Sequence, residues 1–132
     1  MNESKLLETV NEELGLELKS TKSDQFCPYD AYDDVYTVEL KCRRTHYNTQ
    51  MIEEQKIKNL HPGKELLYVV STPAGIYSFN VSELLKSGYD FSWETRRLPA
   101  TTDFKRKQWV DKVVGYINVS EAFWRNEYDS AN

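Results

Sequence analysis

Near the start of the chain Leu6, Leu7, Val10 and Leu14 fall three or four residues apart. That periodicity predicts a helix over 3–14, with Ser4 as its cap and Gly15 as its stop. Residues 16–19 alternate and predict a short strand, followed by a polar turn over 20–24. Two further strands are expected at about 25–30 and 35–42. A tight turn over 31–34 joins them, with Asp33 and Asp34 as turn formers. A second helix is expected over 47–60, with Met51, Ile52, Gln55 and Lys56 on one face and His61-Pro62-Gly63 ending it. The nearly continuous apolar run 65–71 reads as a buried strand, and Pro73-Ala74-Gly75 turns it into a partner at 76–80. A short helix over 82–86 stops at Gly88. Residues 89–104 are aromatic and turn-rich, and 109–119 alternates as a last strand before a tail that frays. The expected order is αβββαβ followed by a C-terminal hairpin and strand. It implies an α/β fold, a mixed central sheet flanked by helices, in one domain spanning 1–132.

Composition narrows the classes without naming one. At 132 residues, 39% hydrophobic and 13% aromatic, the chain can bury a single core. It has no run of 18 apolar residues, so no membrane span is expected. The acidic start lacks the basic and apolar regions of a signal peptide, so a cytoplasmic protein is expected. Cys27 and Cys42 read as reduced thiols, and His46 and His61 lack metal-ligand spacing. The net charge is −4, which argues against non-specific coating of nucleic acid. Residues 1–39 hold the acid excess, while 40–132 is net basic, with clusters at Lys41/Arg43/Arg44, Arg96/Arg97 and Lys105/Arg106/Lys107.

Candidate chemistry concentrates in 26–44. Asp30 closes an apolar-aromatic run, and in the next strand Glu39 and Lys41 alternate with Val38 and Leu40, so they share one face. A carboxylate at the end of one strand then lies beside a Glu and a Lys on the next. Such a trio can hold a divalent cation and neutralise a developing anion. Mg²⁺ keeps several waters, so Asp30, Glu39 and the Leu40 carbonyl suffice as its protein ligands. Lys41 supplies a point charge, and Arg43 and Arg44 beyond the strand can position a phosphate backbone. The bland alternative makes Glu39 and Lys41 a same-face ion pair and Asp30 a turn residue. Glu17-Leu18-Lys19 repeats the tripeptide but lacks a suitable preceding Asp.

This arrangement resembles the PD-(D/E)xK superfamily of nucleases, with Asp30, Glu39 and Lys41 matching its motif at separations of nine and eleven positions. The element order over 3–71 is also similar. The resemblance implies a Mg²⁺-dependent deoxyribonuclease, with Mn²⁺ as a substitute ion. It makes Asp30 and Glu39 metal ligands and Lys41 the group that supports the attacking water. Arg43-Arg44, the Tyr-Asn-Thr-Gln stretch and Lys56 look like small viral members, so Gln55 and Lys56 are carried over as cleft residues. Glu12 is carried over as the first-helix acid, ahead of Glu8 and Glu13. The superfamily's Pro-Asp doublet is split here, with Tyr29 between Pro28 and Asp30. DNA is the implied partner, a homodimer the implied assembly for cutting two strands, and a phage origin would put it in the host cytoplasm. The rival readings are a catalytically inactive binding module or inhibitor of this fold, acting on nucleic acid or a host protein, and an RNA-directed protein.

Overall fold

The first helix, α1 (Glu3–Leu14), forms where its apolar stripe requires, with Leu6, Leu7 and Val10 buried. In the computed structural model, which describes residues 1–59, 61–100 and 108–128, its cap is Asn2 rather than Ser4. The Asn2 side chain accepts from the Lys5 N–H at 2.8 Å. Gly15 ends the helix at φ 64°, in the left-handed region glycine tolerates.

The stripe packs onto one face of a six-stranded sheet ordered β1-β2-β3-β5-β6-β9. Its strands are β1 (Lys19–Ser20), β2 (Ala31–Tyr32), β3 (Tyr36–Cys42), β5 (Glu65–Thr72), β6 (Gly75–Asn80) and β9 (Trp124–Glu127). β3 and β5 run parallel, from Tyr36↔Glu65 to Cys42↔Ser71, and the other pairs are antiparallel. Val38 and Leu40 of β3 meet α1 in a core with Leu18, Ala31, Leu67 and Val69. By strand alternation Thr37, Glu39 and Lys41 point to the opposite face.

That opposite face carries a second core, in which Leu66, Tyr68, Val70, Tyr77 and Phe79 pack against Ile52, Ile117 and Phe91. Ile52 and Ile117 belong to a three-stranded sheet, β4-β8-β7. It is formed by β4 (Thr49–Glu53), β7 (Glu94–Pro99) and β8 (Trp109–Asn118). Two short helices, α2 (Glu54–Lys58) and α3 (Val81–Lys86), complete the chain's mixed α/β architecture. No helix among the described residues is long and apolar enough to cross a membrane.

Several expectations are corrected. The helix expected over 47–60 is β4 followed by the single turn of α2. β4 pairs antiparallel with β8 from Thr49↔Asn118 to Glu53↔Val114, burying Gln50 and Ile52 on alternate positions. A partner sixty residues away therefore overrides a local pattern that also fits a helix. The strand expected at 25–30 is a series of turns: Asp24 takes the Phe26 N–H on its carboxylate at 3.0 Å, and Pro28 has no N–H to give to a ladder. The expected turn at 31–34 is instead entered by β2, although Asp33 does act as a turn former, accepting from the Val35 and Tyr36 amides. The strand at 16–19 shrinks to Lys19–Ser20. The turn-rich 89–104 contains β7, and the tail returns as β9 on β6.

Candidate active site

Pairing between β2 and β3 ends at Ala31↔Val38. One residue earlier, the Asp30 N–H donates to the Val38 carbonyl at 2.9 Å, and Asp30 Oδ2 accepts from the Leu40 N–H at 2.8 Å. The Asp30 carboxylate thus takes the place of a missing ladder partner, which fixes its direction. Asp30 and Ala31 thus both face Val38, a bulge that ends the ladder, and from there the Asp30 charge still acts on Glu39.

Glu39 is 9% exposed. Burial pushes its carboxyl from the ordinary 4.5 up to about 7, and the Asp30 charge adds to the rise. Lys56 and Lys41 oppose it. Lys56 Nζ stands 3.3 Å from Glu39 Oε1, brought there by α2. Burial works against the Lys56 charge, yet Glu39, with Glu53 and Asp30, holds its ammonium above the usual lysine value. Lys41 shares with Glu39, Glu53 and Lys56 a hollow of about 50 Å³, room for one or two waters.

The remaining expected residues are not all brought to this point. Glu12 is exposed on α1, nine residues beyond Glu3, or about 13 Å along the axis. The first-helix acid beside the site is Glu3, which shares a pocket of about 250 Å³ with Asp30 and Leu40. Burial raises the Glu3 carboxyl, as does Asp30, against the pull of Lys41, Lys22 and Lys56. Gln55 points away: its amide donates to Asn59 Oδ1 at 3.1 Å, and it lines a separate groove with Glu54 and Lys58. Arg43 is a strut rather than an open phosphate ligand. Its Nη2 donates to the Met51 carbonyl at 2.9 Å and to the Tyr68 hydroxyl at 3.1 Å, and Tyr68 donates to the same carbonyl at 2.8 Å. Arg44 is exposed at the end of β3. Lys105, Arg106 and Lys107 lie outside the described residues. Glu53, hidden by the expectation of a helix, lines the Glu39 hollow and pairs with Lys112 at 2.7 Å.

A cation has a restricted but suitable donor set here. Among the described residues no group of three or more His, Cys, Asp and Glu side chains converges for a metal. Odd residues of β3 bond toward β5, as the Arg43 N–H to Ser71 carbonyl bond (2.7 Å) continues. Leu40 therefore turns its amide and carbonyl toward the β2 edge, where Asp30 sits. Two carboxylates and one carbonyl satisfy an ion that retains several waters, and a cation near Asp30 and Glu39 would relieve the repulsion that adds to the effect of burial on Glu39. No family model matches the chain, and neither does any curated protein or solved structure.

Proposed function

We propose that this protein is a Mg²⁺-dependent deoxyribonuclease of the PD-(D/E)xK kind, with Mn²⁺ as a substitute ion. The observation that carries the reading is a buried Glu39 whose carboxyl is pushed up to about 7 by burial and by the charge of Asp30, itself fixed on the Leu40 N–H, with Lys41 two residues on along the same face. The topology supports it too. A helix, short antiparallel strands into β3 and a crossover to the parallel β5 match part of the order that the resemblance implies, the crossover carrying β4 and the five residues of α2 where a full helix is implied.

Asp30, Glu39 and the Leu40 carbonyl would hold the ion. When bound, it supplies an acidified water and neutralises phosphate charge. Lys41 would orient that water or meet a phosphate oxygen. Lys56 holds the Glu39 head in place through their ion pair. Glu3 would replace Glu12 as the supporting first-helix acid. A homodimer would present two such sites to the two strands of a duplex.

Nucleic-acid binding without cleavage is the second reading, favoured by the lack, among the described residues, of a group of three or more His, Cys, Asp and Glu that could hold a metal. Incubating supercoiled, linear, branched and single-stranded DNA with Mg²⁺ or Mn²⁺ separates the two. Metal-dependent cutting that Asp30→Asn and Lys41→Ala abolish is the expected result. Folded wild type that cuts none of these substrates would overturn the nuclease reading and leave the binding module.

A further inference from the structure

β3 and β5 are parallel neighbours, and their carboxyl ends, Cys42–Arg44 and Ser71–Pro73, open onto a pocket of about 700 Å³. In open α/β sheets this end of the strands is where ligands bind, because loops diverge there and leave a crevice. Here the first turn of α1 supplies the far wall through Lys5.

The charge of this pocket sets it apart from the rest of the molecule. Lys5, Arg43 and Arg44 line it, Ser71 and Thr72 add polar groups, and among the described residues no Asp or Glu lines it. The chain as a whole carries −4. Among the described residues Arg44 makes no salt bridge, and Lys5 makes one, at 3.9 Å to Glu8. Arg43 is spoken for on its Nη2, but its Nε is buried with no hydrogen-bond partner. Thr72 is held by its own neighbours, accepting from the Ala74 N–H at 3.0 Å and bonded to His46 Nδ1 at 2.9 Å. Among the described residues the cationic side chains left to face a ligand are therefore Arg44 and Lys5, with Met1 beside them in the lining.

Arg43, just past β3, lines both this pocket and the Glu39 hollow. We infer that the pocket binds a phosphate group, with Arg44 and Lys5 as its ligands, and that this phosphate neighbours the one presented to Asp30, Glu39 and Lys41. An arginine fork and a mobile ammonium on opposite walls suit a tetrahedral dianion or a phosphodiester. The assignment of the phosphate to a nucleic-acid strand rests on the nuclease reading, whereas the phosphate site itself does not.

The test uses the full chain in EDTA, so that no cleavage is needed. Inorganic phosphate is titrated while backbone amide resonances are followed, and a single-stranded oligonucleotide is titrated in parallel at several salt concentrations. The variants are Lys5→Ala/Arg44→Ala together and, as a control outside the pocket, Lys58→Ala. Phosphate is expected to move the Arg44, Ser71 and Thr72 amides in wild type and in the control, and not in the double variant. The double variant is expected to bind the oligonucleotide about tenfold or more weakly, with a salt slope lower by one to two. Phosphate shifts with unchanged oligonucleotide affinity would overturn the strand and assign the site to free phosphate. No phosphate shift and equal oligonucleotide binding would overturn the pocket altogether. If no DNA is cut with Mg²⁺ while the phosphate shifts persist, the nuclease reading fails and the phosphate site stands.

Discussion

Replacing Glu39 by Gln should make the metal-free protein more stable at alkaline pH, the opposite of what deleting a salt bridge usually does. The folded carboxyl binds its proton more tightly than the unfolded one, with about 7 against 4.5. Wild type therefore has its full stability below about 4.5 and loses part of it as pH rises through about 7. At 1.36 kcal/mol per pH unit that difference amounts to about 3 kcal/mol. The Glu39 side chain is only 12% exposed, so solvent screens little of it. Gln removes this penalty but leaves Lys56 without its partner, which returns about 1 kcal/mol. The net gain of about 2 kcal/mol at pH 8 corresponds to roughly 6–8 °C in Tm for a chain of this size. Thermal unfolding of both proteins in EDTA, at pH 4.5 and pH 8, measures it. Little difference is expected at pH 4.5. Adding Mg²⁺ at pH 8 should stabilise wild type and not the variant, while the variant loses cleavage. A variant no more stable than wild type at pH 8, or a gap of equal size at both pH values, would refute the claim that an ionised carboxylate is buried at this point.

Other consequences are checked more simply. Lys56→Met removes the cation that lowers the Glu39 carboxyl, so cleavage should shift to higher pH; a rate profile coincident with wild type would show that the ion pair does not set the titration. Leu6→Ala, at a fully buried position of α1, should cost about 2–5 kcal/mol in urea unfolding. Gly75→Ala should detach β9, because a Cβ there would lie 2.5 Å from the Asn126 carbonyl; slow exchange of the Ile76 and Asn126 amides in the variant would contradict this. Tyr68→Phe should cost roughly 1–2 kcal/mol by leaving a half-buried Arg43 with one partner fewer, read by chemical denaturation.

What the chain discloses in advance depends on how far away each partner lies. The α1 stripe, β3 and the β5–β6 hairpin are predictable because their burial patterns are long and their neighbours close in sequence. The shared face of Glu39 and Lys41 follows from alternation alone, whatever the sheet order. Lys56 reaches Glu39 as expected, although it arrives on a single helical turn rather than a long helix. Glu3 escapes notice because its role depends on where the helix start meets the β2 edge, and no local pattern encodes that. Arg43 looks like an open cation until the Met51 carbonyl of β4 is placed beside it. Glu53 is lost along with β4, whose buried Gln50 and Ile52 fit a helical face and a strand face equally well.

The dependence of β4 on β8 also orders events in time. As the chain emerges from a ribosome, residues 49–53 are made long before 109–118, so β4 has no strand to pair with for some sixty residues of synthesis. During that interval the segment is free to follow its helical pattern, and Lys56, Glu53 and the Arg43 strut have nothing to register against. β6 likewise presents a bare edge until 124–127 are made. The site on β3 is thus written early in the chain but assembled late, and a stall before residue 118 would leave the Glu39 carboxylate without its finished enclosure.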